Sequence, residues 1–371
     1  MAAGRLTPLC RRFLYIKPKQ EKIQNCCNVF GGTSSNLCRQ VNMMVKLRDA
    51  QYCNLKFFLI FLVVYGHLIE PRIGDSAILL VQYRWIYLIH MPLFSFLSGL
   101  FINREKDCKV QFTKTFPLYL ILQTVAVLIG NGAIKPITPF WHLWYLLSYC
   151  TWICFSWLWF RFGKGKCKFL ILICSIIIGC IAGLIPCVGR EFSLSRSLVF
   201  FPYFWAGVIF KPSFNWKKLR LVCLLAFVTA MVIIFYVGDE IPVAFLYQAA
   251  PYENRKEIIL RLICYLLGGL LGLFLLGFSP TRRLPFSKMG ANTMFAYVIH
   301  APIVLCLREL NVTWQFNIVF AVIFLYVMYV LTKWYGTLYG IVPKKRRENR
   351  WRPFKMSMKN MRSQSIDSSY P

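Results

Sequence analysis

Ten stretches of mostly apolar residues, separated by short polar or charged connections, follow one another near 54–70, 81–102, 114–132, 141–160, 168–188, 197–210, 219–238, 258–278, 289–307 and 314–336. Runs of about twenty apolar residues match the helix length that crosses a bilayer's hydrocarbon, where each helix satisfies its own backbone polar groups. The pattern predicts an all-α fold, a polytopic integral membrane bundle of about ten transmembrane helices. Residues 1–47 read as a basic, disordered N-terminal extension, 48–336 as the ten-span membrane domain and 337–371 as a basic tail. Met43 and Met44 stand just before the first span, so 1–42 reads as dispensable. It lacks the apolar core of a secretory signal, and the basic stretch Met1 to Lys22 has a transit peptide as its alternative reading.

Composition agrees with the pattern. Of 371 residues 57% are hydrophobic and 16% charged, a balance that no soluble domain of this length carries on its surface. A net charge of +30 would by itself suggest nucleic acid. With the N-terminus placed inside, however, 35 of the 44 Lys and Arg fall on one side of a ten-span topology. That is the positive-inside bias, and it needs no nucleic-acid partner. Both termini are then cytoplasmic, the expected location is the cell (plasma) membrane, and the tail Lys344 to Arg352 lies against anionic membrane lipid. The 15 Cys show no CxxC pair or metal spacing, so neither a metal, a bound cofactor nor a structural disulfide is expected.

Ionisable groups inside spans are expensive, and they concentrate at functional sites. Lys56 and His67 lie in the first span, eleven residues apart, which puts them on one helix face roughly 16 Å apart along the axis. Glu70 follows His67 at i+3, close enough to fix the tautomer of the imidazole and raise its basicity. His67 thus reads as a general base oriented by Glu70, or as an interfacial His that only reaches water where Pro71 ends the helix. His90 and His300 sit in two hexapeptides of one pattern, Tyr87 to Pro92 and Tyr297 to Pro302. Each is either a site residue, with Tyr87 beside His90, or a polar group that settles a proline kink. His142 opens the fourth span among Trp141, Trp144 and Tyr145, as part of an aromatic belt or of a substrate platform. Arg196 has no acidic neighbour in sequence, and it suits either an anionic or hydroxyl-rich ligand or a helix cap.

These residues resemble a known family. Asn54-Leu55-Lys56 to His67, His90-Met91-Pro92 to Gly99, Trp141 to Ser148, Arg196 to Phe204, and Gly290 to Pro302 look like the acyltransferase-3 superfamily, in particular its fucose O-acetylase-like branch. The resemblance implies a membrane-bound O-acetyltransferase that moves an acetyl group from cytoplasmic acetyl-CoA to a hydroxyl of a cell-surface or exported sugar or polysaccharide. It matches the family's basic-x10-His signature to Lys56 and His67, with His67 catalytic, either as a general base or as a transient carrier of the acetyl group. The branch usually has Asp just before the Asn-Leu-Lys run, where this chain has Cys53, and Arg residues leading into the third span, where Lys109 and Lys114 stand. Combined with the residue reading, it gives His67 and Glu70 as catalytic, and Lys56, Tyr87, His90, His142, Arg196 and His300 as substrate-binding. Arg104, Lys109 and Lys114 are the expected contacts to the donor's phosphates. The rival from another class is a secondary transporter or exporter of a sugar or acylated metabolite, built on helices broken by proline.

Overall fold

The computed structural model describes residues 34–130, 134–163, 166–210, 214–291, 293–309 and 314–338. They form ten main helices and no strand: α1 (Ser34–Ile69), α2 (Ala77–Leu100), α3 (Glu105–Ile129), α4 (Trp144–Phe162), α5 (Lys168–Ile181), α6 (Leu194–Ile209), α7 (Arg220–Val237), α8 (Glu257–Phe278), α9 (Thr293–Glu309) and α10 (Trp314–Leu338). Each expected apolar stretch falls on one of them. Seven of the ten are long and apolar enough to cross a membrane, among them α1 over Ala50–Arg72 and α7 over Trp216–Glu240. The apolar helices Lys168–Leu184 and Phe316–Leu331 are shorter, and α9 has 17 residues. By length and composition seven candidate spans thus stand among the described residues, beside the ten stretches that the sequence pattern gives. α1 has 36 residues, roughly 54 Å of helix, and it begins at Ser34, so residues 34–47 are helical although the sequence reads them as disordered. The rest of the expected extension, and the tail after residue 338, lie outside the described residues.

The polarity of the bundle is that of a membrane protein. Large apolar side chains face outward on α3, α5 and α7, where Ile129, Phe169 and Phe235 are exposed. Gln51, Asn54, His90, Ser148, Ser195 and His300 are buried inside. In hydrocarbon an outward apolar surface costs nothing, whereas polar groups need partners within the bundle. Gln51 Nε2 accordingly donates to the Leu276 carbonyl (2.6 Å), and Asn54 Nδ2 to those of Pro280 and Arg282 (both 2.9 Å).

α2 lies at the centre, packed against α1, α6 and α8, while α1 also carries α9 and α10, and α6 also carries α4 and α5. Small residues permit the closest approach. A Cβ at Gly99 of α2 would overlap the Phe204 carbonyl of α6, and one at Gly207 of α6 would overlap the Phe96 carbonyl of α2. A Cβ at Gly290, in the short helix Ser287–Ala291, would overlap the backbone of Cys53. Together with the hydrogen bond from Ser287 to Asn54, this contact pins the segment before α9 beside Lys56.

Candidate functional site

The last turn of α1 is where packing and chemistry meet. Pro71 has no N–H, so the His67 carbonyl loses its helical donor. Arg308, from the last turn of α9, supplies one: Nε and Nη2 donate to that carbonyl at 3.1 and 2.5 Å. The same Nη2 donates to Glu70 Oε2 at 2.5 Å, and the guanidinium lies 4.9 Å from the centre of the Trp141 ring. Tyr247 Oη donates to Glu70 Oε1 at 2.9 Å. Burial pushes the Tyr247 phenol up to about 12, so near neutral pH it stays protonated and remains a donor.

Glu70 is thus held by two donors besides its relation to His67. His67 Nδ1 lies 3.5 Å from Glu70 Oε2, an electrostatic pairing too long for a good hydrogen bond. With Nδ1 turned to Glu70, the opposite nitrogen, Nε2, is the one left for a substrate. Three histidines from three helical segments gather here. The His67 and His300 rings are 5.6 Å apart and nearly parallel, and His142 lies 5.2 Å from His300. Trp141 covers His67 at 4.6 Å, and Trp141 itself has a positive φ of 29°. Such strain in a non-glycine residue costs free energy and clusters at functional sites. The Tyr297 hydroxyl donates to the His142 carbonyl. Both nitrogens of His142 and Nε2 of His300 are buried without a hydrogen-bond partner among the described residues.

A cavity of about 2170 Å³ runs along this site from one end of the bundle to the other. One end is lined by Lys56, Arg104, Lys106, Lys114 and Lys168, and the other by Lys135, Arg190 and Arg196. His67, Glu70, Tyr87, His90 and His142 line the passage between them. His90 donates from Nδ1 to the Ile86 carbonyl (2.6 Å) and His300 from Nδ1 to the Tyr297 carbonyl (2.6 Å). A carbonyl can only accept, so both bonds place the proton on Nδ1 and leave Nε2 as the basic nitrogen. Neither imidazole takes the carbonyl that its own proline orphans, those of Leu88 and Val298, so settling a kink is not their role.

The expected residues thus converge, with two adjustments. Lys109 does not line the cavity: its Nζ lies 3.1 Å from Glu105 Oε1, on an exposed face of α3. His300 is fully buried, does not line the cavity, and sits against His67 and His142. His142 is likewise no interfacial belt residue, since it is buried in the histidine cluster. Arg196 does not cap its helix: Nε donates to the Tyr247 carbonyl (2.9 Å) and the guanidinium lies 4.8 Å from the centre of the Trp144 ring. Arg308 and Tyr247 were missed. The orphaned His67 carbonyl ahead of Pro71 is the sequence signal that asks for a donor such as Arg308; Tyr247, in a connection without periodicity, has no comparable signal. Among the described residues, no group of three or more His, Cys, Asp or Glu side chains is arranged to hold a metal.

No curated protein and no solved structure matches the chain. A family model described as an acyltransferase domain matches residues 53–335, a range that takes in the whole site from Cys53 and Lys56 through the histidine cluster to Arg308. The chain, a multi-pass membrane protein, therefore belongs to the acyltransferase-3 family.

Proposed function

We propose that the protein is an O-acetyltransferase that takes acetyl groups from cytoplasmic acetyl-CoA and transfers them to a hydroxyl of a cell-surface or exported sugar, as in the fucose O-acetylase-like branch. The observation that carries this reading is the continuous cavity with Lys56 at one end and His67 lining it further along. CoA carries several phosphate charges on a long, thin arm. Its charged end suits Lys56, Arg104 and Lys114, which charge-assisted hydrogen bonds favour, and the arm then delivers the thioester towards His67.

His67 Nε2 accepts the proton of the acceptor hydroxyl while its oxygen attacks the thioester carbonyl. The tetrahedral intermediate collapses, the C–S bond breaks, and the departing thiolate recovers the proton from His67. The products are the acetyl ester and free CoA. Glu70, fixed by Arg308 and Tyr247, stabilises the imidazolium. Tyr87, His90 and Arg196 are the candidates to hold the oxyanion or the sugar.

Membranes containing the protein, supplied with radiolabelled acetyl-CoA, are expected to acetylate surface glycan. His67→Ala at equal membrane expression is expected to lower that rate by about a hundred- to ten-thousand-fold. Lys56→Ala is expected to raise the KM for acetyl-CoA more than it lowers kcat, because a phosphate contact acts in ground and transition state alike. Full acetylation by His67→Ala, or sugar uptake into vesicles without any acetyl transfer, would overturn the reading in favour of a transporter.

A further inference from the structure

The charges along the cavity are one-sided. Its only acidic lining residues among those described are Glu70 and Asp107. Glu70 is paired with Arg308, and Asp107 lies 3.6 Å from Arg104. At the end beside Glu70, in contrast, Lys135, Arg190 and Arg196 line the cavity, and none of the three forms an ion pair among the described residues. They are also three of the nine cations that fall on the Lys/Arg-poor side of the expected topology.

The local structure holds them together. The Phe192 N–H donates to the Ile137 carbonyl (2.9 Å), tying the connection that carries Lys135 to the turn that carries Arg190. Phe192 and Ser193 both have positive φ, 49° and 56°, a costly conformation for non-glycine residues that kinks the chain between Arg190 and Arg196. Ser148 Oγ lies 2.9 Å from Ser193 Oγ and 2.8 Å from Ser197 Oγ, and Ser195 Oγ donates to the Gln248 carbonyl (2.8 Å). Arg196 is therefore anchored on both sides, and among the described residues Nε is the one guanidinium nitrogen with a hydrogen bond, the group resting beside the Trp144 ring.

We propose that the acceptor is an acidic sugar, one bearing a carboxylate or phosphate ester, whose anion is held by Arg196 with Arg190 and Lys135 at the mouth. This deepens the acetyl-transfer reading and rests on it. A planar guanidinium with free terminal donors matches either anion bidentately. Cations that line a cavity with low-dielectric walls concentrate an anion there. A neutral glycan would leave this charge uncompensated, whereas an acidic sugar neutralises it and sets its hydroxyls beside His67.

The test compares trigalacturonate, maltotriose and a glucose phosphodiester as acceptors, using membranes that hold the full chain and labelled acetyl-CoA. The acidic probes are expected to be acetylated with kcat/KM at least tenfold above maltotriose. Arg196→Gln is expected to raise the KM for the acidic probe about tenfold, and Arg190→Gln by two- to threefold. The KM for acetyl-CoA should change less than twofold in both. In purified protein, trigalacturonate is expected to raise Tm saturably, and Arg196→Gln to abolish the rise. Equal use of maltotriose overturns this inference and leaves the acetyl-transfer reading standing; transfer to none of the three overturns both. A rise in Tm from phosphatidylglycerol micelles but not from trigalacturonate would assign the cations to lipid, and that too overturns the proposal.

Discussion

Pro71 strips the His67 carbonyl of its donor, and the residue that replaces it, Arg308, also binds Glu70. Backbone repair and carboxylate placement thus depend on one guanidinium, whose fork lysine does not reproduce. Arg308→Lys is expected to retain part of the activity and Arg308→Gln to lose at least tenfold in kcat/KM. Leaving Glu70 without this partner costs about 1–3 kcal/mol of desolvation. Glu70→Gln should fall between wild type and His67→Ala. Because both residues act through the same imidazole, the double variant Glu70→Gln with Arg308→Gln should cost little more than the worse single one, as a double-mutant cycle on kcat/KM would measure. Strictly additive losses would separate the two residues. His67, Glu70 and Lys56 were legible from their spacing on one helix. Arg308 was not: 241 residues from His67, it reads as one more charge in a loop.

At the scale of elements, each long apolar stretch announces a helix, but not its neighbours. The close pairing of α2 with α6 depends on Gly99 and Gly207, neither of which stands out among 22 glycines. Gly207→Val would force the backbones apart at a contact without a flexible side chain to yield. The expected cost reaches or exceeds the upper end of the about 1–3 kcal/mol typical of overpacking, read as a lower Tm in detergent and reduced membrane yield. A Tm equal to wild type would show that the helices separate freely there. The role of Asn54 was equally hidden. It belongs to the Asn-Leu-Lys run that carries the resemblance, yet its amide secures the segment leading to α9 through the Pro280 and Arg282 carbonyls. The helical stretch from Ser34 also escaped the sequence pattern, because polar and charged residues interrupt the apolar ones before the span and leave no uninterrupted apolar run.

The whole molecule makes sense of the charge distribution only if its two ends face different compartments. Lys56, Arg104, Lys114 and Lys168 line one end of the cavity, and Arg190, Arg196 and Lys135 the other. Membrane insertion favours Lys and Arg on the cytoplasmic side, so the first group is expected at the inner end, where the proposed cytoplasmic donor would enter towards His67. Cations retained at the other end run against that bias, which argues that a ligand there requires them. The exposed positions Lys166 and Glu240 lie at opposite ends of the bundle, the first just before α5 and the second just after α7. In a cysteine-free background whose activity has been checked, Glu240→Cys is expected to react with an impermeant thiol reagent added to intact cells. Lys166→Cys should react only after the membrane is opened. Labelling of both from outside would place the donor end of the cavity in the wrong compartment, and the route from cytoplasmic acetyl-CoA to His67 would fail with it.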